Sequence, residues 1–200
     1  MAAHFERTLL HMSDIDLITD KAGFVGPTFS LANRIKRTVW MATWFLVARW
    51  TPPSWHQWRI AVLKLFGGNI SWQSYIYPGV KIWAPWNLTI AKYGTLARNV
   101  TCYNIASITI GERAVISQNV HLCTGSHDYL DPTFPLTAKN IEIGRRSWIC
   151  ADAFVGPGVN VGEGAILAAR GVAFKDLEPW SIHVGNPALV VRKRQSIEDK

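Results

Sequence analysis

The sequence of 200 residues predicts a mainly β chain wound as a parallel β-helix, with a helical segment before it and an irregular or short helical tail after it. Three observations predict this fold. An aliphatic residue recurs every six positions, small residues or Val dominate the fifth position of each hexad, and two residues are inserted after every third hexad in the first half. A period of six does not match the 3.6 residues of a helical turn, so amphipathic helices do not account for it. Three hexads make one triangular coil, and stacked coils bury one another's aliphatic side chains.

The aliphatic positions form the predicted interior of the β-helix, and thirteen of the fifteen are Ile, Leu or Val. They are Ile70, Ile76, Ile82, Ile90, Leu96, Cys102, Ile110, Ile116, Leu122, Ile143, Ile149, Val155, Val161, Leu167 and Ala173. The inserted pairs Leu88-Thr89, Ile108-Thr109 and Ile141-Glu142 each precede an Ile, so we expect them at the same corner of successive coils.

Residues 1–69 read as a Trp-rich helical segment. Thr38–Trp50 carries Trp at helical spacing, Pro52-Pro53 breaks the pattern, and Ser54 is a predicted cap for a second helix over Trp55–Phe66. These helices are predicted to pack their Trp faces on the rest of the protein. A second, compatible interpretation is a membrane-surface element, because Trp with Arg and Lys suits the membrane interface.

Composition excludes several classes of protein. Apolar residues make up 48% and charged residues 18%, so the chain can build a core and most of it is not intrinsically disordered. The net charge of +7 fits an anionic partner but is not a nucleic-acid-binding composition by itself. The three cysteines lack CxxC or CxH spacing, which argues against disulfides and a zinc site. The apolar run Val39–Ala48 is too short to span a bilayer.

The repeat breaks once, after the hexad Leu122–His127. Residues 128–140, with Pro132 and Pro135, form a predicted extruded loop, and such loops in a regular solenoid are usually functional. The β-helix is predicted over 70–178 and a basic tail over 179–200. His127, the last residue before the loop, is expected at a corner facing a cleft.

Three motifs carry a family resemblance: the run Cys123–Asp128 (CTGSHD), the run Ile143–Trp148, and Gly185–Ala188 (GNPA) with Arg192. With the repeats they resemble the hexapeptide-repeat acetyltransferases, most closely the colanic acid biosynthesis O-acetyltransferase branch. The resemblance implies a left-handed β-helix and a homotrimer with active sites between subunits. It also implies direct acetyl transfer from acetyl-CoA to a hydroxyl of an exopolysaccharide or glycan precursor, with no metal.

The resemblance also assigns residues. It implies that His127 is the general base, because imidazole ordinarily titrates near neutral pH. Asp128 or Asp131 is a candidate to orient it. The predicted coenzyme A path and phosphate contact are Trp148, Ala151, Ala168, Ala169, Lys175 and Arg192. The predicted acceptor contacts are Asn99, Tyr103 and Asn104.

Ala97 stands where sugar-acetylating relatives have Asn, which favours a larger or lipid-linked glycan acceptor. An acyltransferase of a small molecule or amino sugar stays open as an alternative, as does a non-catalytic trimeric scaffold. We expect a cytoplasmic protein without a nucleic-acid partner, with peripheral contact at the inner face of the membrane left open.

Overall fold

The described part of the chain begins with two helices. A computed structural model describes residues 28–196, so 1–27 and 197–200 of the predicted end segments lie outside the described residues. Helix α1 (Leu31–Val47) starts seven residues before the predicted Thr38, because the Ser30 side chain accepts a hydrogen bond from the backbone N–H of Asn33 at 3.2 Å. Helix α2 (His56–Leu65) has no side-chain cap, so the predicted Ser54 cap is wrong. Neither of these two helices is long and apolar enough to cross a membrane.

Short strands follow from residue 69 to residue 193. They are β1 (Asn69–Ile70), β2 (Tyr75–Ile76), β3 (Lys81–Ile82), β4 (Leu88–Ile90), β5 (Thr95–Leu96), β6 (Thr101–Tyr103), β7 (Ile108–Ile110), β8 (Val115–Ile116), β9 (His121–Cys123), β10 (Gly125–His127), β11 (Leu136–Ala138), β12 (Ile141–Ile143), β13 (Trp148–Ile149), β14 (Phe154–Val155), β15 (Asn160–Val161), β16 (Ile166–Leu167), β17 (Val172–Ala173), β18 (Ser181–Val184) and β19 (Leu189–Lys193). A 3-10 turn spans Pro85–Asn87.

The strands form three parallel sheets that the chain visits in rotation. Sheet 1 is β1-β4-β7-β12-β15, sheet 2 is β2-β5-β8-β13-β16-β18 with β19 added antiparallel, and sheet 3 is β3-β6-β9-β14-β17. We call the turns from sheet 2 to sheet 3 the 2–3 edge, and the connections from sheet 3 to sheet 1 the 3–1 edge. All fifteen predicted interior residues are buried, which confirms the repeat register and the parallel β-helix.

The inserted residue pairs lengthen the strands of sheet 1. Leu88 pairs with Ile108, and Ile108 pairs with Ile141, each in register along the sheet. All three side chains are buried, so the insertions add one more apolar layer at a single corner, as predicted.

Helix α1 closes one end of sheet 3. The first coil of a β-helix leaves the backbone carbonyls of its outer edge without a neighbouring strand. The indole N–H of Trp40 donates to Ile82 O and that of Trp44 donates to Val80 O, both at 2.8 Å. Both indoles are buried, which confirms that the Trp face of this helix packs on the rest of the protein.

Helix α2 closes the same end of sheets 1 and 2. Arg59 Nε donates to Ile76 O of sheet 2 at 2.6 Å, and Lys64 Nζ donates to Ile70 O of sheet 1 at 2.9 Å. Arg59 is fully buried. The two helices therefore form a cap whose polar groups satisfy the open edge of all three sheets.

The C-terminal residues are more regular than predicted. Strand β18 continues sheet 2 in parallel with β16, and β19 returns beside it, so the β-helix extends past the predicted end at 178. Pro179, Gly185 and Pro187 lie next to the strands of this hairpin. Turn residues this close together in a sequence are typical of an irregular segment, which is why a tail was predicted here.

Candidate active site

The projection beside His127 is a β-hairpin rather than a loop that begins after it. Strand β10 pairs antiparallel with β11, with Gly125 opposite Ala138 and His127 opposite Leu136. The predicted start of the extruded segment at Asp128 is therefore three residues late, and His127 lies on the hairpin instead of at the corner of the coil. Antiparallel pairing from Gly125 onward replaces the last half of the predicted hexad.

Thr124 holds the base of this hairpin. Its buried hydroxyl donates to Tyr103 O at 2.9 Å and accepts from the backbone N–H of Ala106 at 3.1 Å. Its carbonyl accepts from the N–H of Lys139 at 2.9 Å. Sequence reasoning did not single out Thr124, although it lies within the CTGSHD run, because a small polar residue there also reads as an ordinary turn residue.

The His127 ring is held by a carbonyl and an aromatic ring. Its Nδ1 lies 2.8 Å from Phe134 O, and the two rings stack with centroids 4.7 Å apart and planes 11° apart. A carbonyl oxygen can only accept, so Nδ1 carries the proton and Nε2 of the neutral ring has a lone pair. The arrangement therefore sets the tautomer that can take up a proton at Nε2.

The two aspartates near His127 are engaged elsewhere. Asp128 Oδ1 accepts from the N–H of Leu130 at 3.0 Å, and Asp131 Oδ1 accepts from the N–H and hydroxyl of Thr133 at 2.8 and 2.7 Å. These bonds lower the pKa of Asp131. The expectation that Asp128 or Asp131 orients His127 is therefore corrected, because the carbonyl of Phe134 does so.

Tyr103 and Asn104 lie on the same 3–1 edge, one coil earlier. Tyr103 is half-buried against Trp83, with ring centroids 5.0 Å apart, and burial raises the pKa of its phenol. Asn104 is fully buried. Its Oδ1 accepts from the N–H groups of Trp83 and Ala84 at 3.1 Å, and its Nδ2 donates to Ala84 O at 2.5 Å. The prediction that Asn104 contacts the acceptor is corrected, because its amide is enclosed and holds the corner of the coil.

The alanines of the predicted coenzyme A path lie on the other edge. Ala151, Ala168 and Ala169 are in the 2–3 turns of consecutive coils, where Ala151 O accepts from the N–H of Arg170 at 2.9 Å. Asn99 lies on the same edge and is exposed, with a left-handed φ of 60°. Asn99 is thus placed near the alanines and not beside Tyr103 and His127.

Trp148 lies on the outer surface of sheet 2, next to this edge. It is half-exposed, and its indole N–H donates to Ser117 Oγ at 2.9 Å, which fixes the ring across the preceding coil. Strand register gives the outward ladder Trp148, Ile166, Ile182 and Arg192. Three strand spacings of about 4.8 Å put Trp148 and Arg192 about 14 Å apart on one face.

The structure thus divides the predicted residues into two groups within one chain. His127, Tyr103 and the exposed Lys175 are on the 3–1 edge, whereas Asn99 and the alanines are on the 2–3 edge, beside the sheet 2 face that carries Trp148 and Arg192. Sheet 3 lies between these two edges. A single subunit therefore does not bring His127 to the predicted coenzyme A path.

The cysteines are poorly suited to nucleophilic chemistry. Burial raises the pKa of Cys102 to about 12, and it also raises the pKa of Cys123 and Cys150. A thiol with a raised pKa carries little of the reactive thiolate. Among residues 28–196, no group of three or more His, Cys, Asp or Glu is arranged to hold a metal ion.

Comparison with known structures identifies the class of protein. No protein-family model matches the chain. A maltose O-acetyltransferase from Clostridium difficile 630 has a TM-score of 0.75 at 20% identity, covering 84% of this chain and 90% of that one. A hexapeptide-repeat acetyltransferase from Vibrio cholerae O1 biovar eltor, solved with acetyl coenzyme A, has a TM-score of 0.70 at 24% identity, covering 82% and 88%. The fold is the left-handed β-helix of hexapeptide-repeat acetyltransferases.

A curated relative identifies the family within this class. The chain is 41% identical over 180 residues to WcaF of Escherichia coli (strain K12), a colanic acid biosynthesis acetyltransferase by name, and the match covers 90% of this chain and 99% of that protein. The chain therefore belongs to the family of colanic acid biosynthesis acetyltransferases, and it is an acetyltransferase.

Proposed function

We propose that this protein transfers the acetyl group of acetyl-CoA to a hydroxyl of an exopolysaccharide or glycan precursor, with His127 as the general base. The observation that carries the proposal is the bond from His127 Nδ1 to Phe134 O, which leaves Nε2 as a proton acceptor on an anchored hairpin. The colanic acid relationship supports a glycan acceptor.

The reaction needs one proton acceptor and no covalent enzyme intermediate. Nε2 of His127 takes the proton of the acceptor hydroxyl while the hydroxyl oxygen forms a bond to the thioester carbonyl carbon. The carbon–sulfur bond then breaks, and the proton passes from the imidazolium to the departing thiolate. The raised pKa values of the three thiols support direct transfer, because none of them is set up as a thiolate nucleophile.

Sheet 2 supplies the proposed path for coenzyme A. Small side chains at Ala151, Ala168 and Ala169 leave room for the pantetheine chain along the 2–3 edge. Trp148 provides an apolar wall, and Arg192, about 14 Å away along the same ladder, provides a cation for the phosphates. The solved Vibrio relative is a complex with acetyl coenzyme A, which supports this choice of donor.

The separation of the two edges supports a homotrimer with shared sites. In a cyclic trimer with sheet 3 facing the symmetry axis, the 3–1 edge of one subunit meets the 2–3 edge of the next. His127 of one subunit would then face the alanines and Trp148 of its neighbour. The outward ladder of sheet 1 suits the solvent side, because it is entirely polar: Asn69, Thr89, Thr109, Glu142 and Asn160.

The remaining acceptor contacts are proposed from both sides of this shared site. Tyr103 lies on the edge of His127, and Asn99 lies on the edge that the next subunit would contribute. Lys175 lies on the same edge as His127. It is proposed to contact the coenzyme A that is bound along the 2–3 edge of the adjacent subunit. These roles follow from position, since each of the three has an accessible polar group.

The base is tested with two histidine variants of matched chemistry. His127→Ala is expected to lower kcat by about 100- to 10,000-fold while acetyl-CoA affinity, measured by calorimetry, stays within a few-fold. His56→Ala is the control, because His56 lies on α2 in the N-terminal cap, where Ile76 O keeps Arg59 Nε as a donor. If His127→Ala keeps most of its turnover, His127 is not the base.

The donor site is tested separately by calorimetric titration with acetyl-CoA and dephospho-CoA. Micromolar binding that weakens without the 3′-phosphate is expected, and Arg192→Ala should remove the difference between the two ligands. Absence of binding up to millimolar acetyl-CoA would contradict the proposed donor.

The shared site is tested by mixing two inactive variants. His127→Ala and Trp148→Ala chains, unfolded together and reassembled in equal amounts, should regain about one quarter of wild-type activity, because about one site in four receives both intact edges. Either variant reassembled alone is the control. No recovery in mixed trimers, with the mixture verified by mass spectrometry, would mean that each site is built from one subunit.

A further inference from the structure

The helices of the N-terminal cap expose apolar residues on the side that faces away from the β-helix. On α1, the residues Leu31, Ile35, Val39 and Leu46 form one stripe at helical spacing, and Leu46 is 73% exposed. This stripe lies opposite the buried face of Trp40, whose indole bonds the first coil. It therefore points along the axis of the β-helix, away from its body.

Helix α2 and the connection before it extend the same surface. Trp58 and Leu65 lie on the side of α2 opposite its buried Arg59 and Leu63, and Leu65 is 80% exposed. We call the combined surface the N-terminal apolar face. It comprises Leu31, Ile35, Val39, Leu46, Trp50, Trp55, Trp58 and Leu65, all exposed.

Within residues 28–196, the charged side chains at this end of the molecule are all basic. Residues 28–111, which form the cap and the first coils, contain no Asp or Glu and nine Lys or Arg. Residues 112–196 contain all eight of the acidic residues between 28 and 196. Arg34 is exposed on α1 beside the apolar stripe, and the Arg49 guanidinium lies 5.3 Å from the ring of Trp50. Arg34 and Arg49 thus place cations beside the apolar face, and the part of the cap that the structure describes adds no carboxylate.

We propose that the N-terminal apolar face docks on the surface of an anionic phospholipid bilayer. Exposed Trp and Leu side chains enter the interface between headgroups and acyl chains, while Arg and Lys remain with the phosphates. Each basic residue near an anionic surface strengthens partition by roughly fivefold. The described helices are too short to span a membrane, so this contact is peripheral.

The charge distribution disfavours a second copy of the chain as the occupant. Two N-terminal faces packed end to end would oppose Arg34 and Arg49 of one copy with those of the other, without an acidic residue from 28–111 to pair with them. In a cyclic trimer with parallel axes, three such faces lie in one plane. A flat anionic surface can contact all three at once, which raises the apparent affinity through multivalency.

The test uses the full chain and sucrose-loaded vesicles. Vesicles of phosphatidylcholine with about one third phosphatidylglycerol should sediment at least about tenfold more protein than pure phosphatidylcholine vesicles, and 0.5 M NaCl should weaken this binding. Ile35→Glu and Leu46→Glu should each reduce partition by about tenfold or more. Leu189→Glu is the matched control, because Leu189 is 67% exposed at the opposite end of the β-helix and should leave partition unchanged.

Two results would overturn the proposal. Equal or absent sedimentation with neutral and anionic vesicles would show that the face has no affinity for anionic lipid. A change in molar mass by light scattering for Ile35→Glu and Leu46→Glu, with wild-type vesicle binding retained, would assign the face to contacts between copies. Vesicle binding is measured without acetyl-CoA, so its outcome is independent of the catalytic proposal.

Discussion

Replacing Arg59 by Met should destabilise the fold through the N-terminal cap. Arg59 is fully buried, and its guanidinium donates only to neutral oxygens. Its guanidinium donates to Ile76 O at 2.6 Å, Pro52 O at 2.9 Å, Pro53 O at 2.6 Å and Thr51 Oγ1 at 2.6 Å. Met retains most of the apolar stem but offers no donor.

The expected magnitude follows from the acceptors left without a donor. His56 Nδ1 stays 2.9 Å from Ile76 O, so that carbonyl keeps a partner. Pro52 O likewise keeps the backbone N–H of Trp55 at 3.0 Å. The carbonyl of Pro53 loses its donor, at about 1–3 kcal/mol when water cannot replace the bond. Relief from burying a charge and partial entry of water offset some of this cost. We therefore expect a net loss of about 2 kcal/mol in the free energy of unfolding.

Thermal and chemical unfolding measure this loss. For a chain of this size, about 2 kcal/mol corresponds to a fall in Tm of roughly 4–8 °C. Arg98→Met is the control, because Arg98 is exposed and should change stability by less than about 0.5 kcal/mol. An Arg59→Met protein within about 0.5 kcal/mol of wild type would refute the view that the buried guanidinium stabilises the N-terminal cap.

Three further predictions concern other buried groups. Asn104→Ala should lower the free energy of unfolding by about 1–3 kcal/mol, because it leaves the buried N–H of Ala84 unpaired while that of Trp83 keeps Cys102 O, whereas an acceptor contact would change KM without changing stability. Iodoacetamide at pH 8 should alkylate Cys123 at least about tenfold more slowly than glutathione, followed by mass spectrometry, since burial raises its pKa. The pKa of His121 is lowered, mainly by burial and to a smaller extent by the positive charge of Lys81. In mild acid the unfolded chain therefore binds more protons than the folded chain. Stability should therefore fall as pH drops below about 6.5, the ordinary imidazole value, and His121→Leu should flatten this dependence between pH 7.5 and 5.5; an unchanged slope would contradict it.

The interior of the β-helix was predictable because its signal is local and repeated. Ile90, Ile110 and Ile143 stack in sheet 1 as the repeat requires, since a coil can bury its aliphatic side chain only against the next coil. The two-residue insertions were equally predictable, because each shifts the phase of the six-residue repeat in the hexads that follow. The C-terminal hairpin was missed because β18 and β19 are flanked by turn residues and no longer follow the six-residue period.

The region around His127 was predictable in identity but not in geometry. Its place beside an interruption of the repeat marked it as a candidate. The pairing of Gly125 with Ala138, and the bond from Nδ1 to the carbonyl of Phe134, depend on how the hairpin folds back. Nearby aspartates were the more obvious partners in the sequence, yet their carboxylates close their own local turns.

By itself the sequence determined the coil, its interior and the residues that carry the family resemblance, because a period of six is imposed on every hexad separately. Only the tertiary structure decided which groups meet. The indole N–H of Trp44 donates to a carbonyl 36 residues away in the sequence. The side chain of Asn104 accepts a hydrogen bond from the backbone of Trp83, one coil earlier. It also separated the predicted site into two edges. Such pairings depend on the stacking of whole coils and helices, and a local pattern does not specify which distant backbone group a side chain will face.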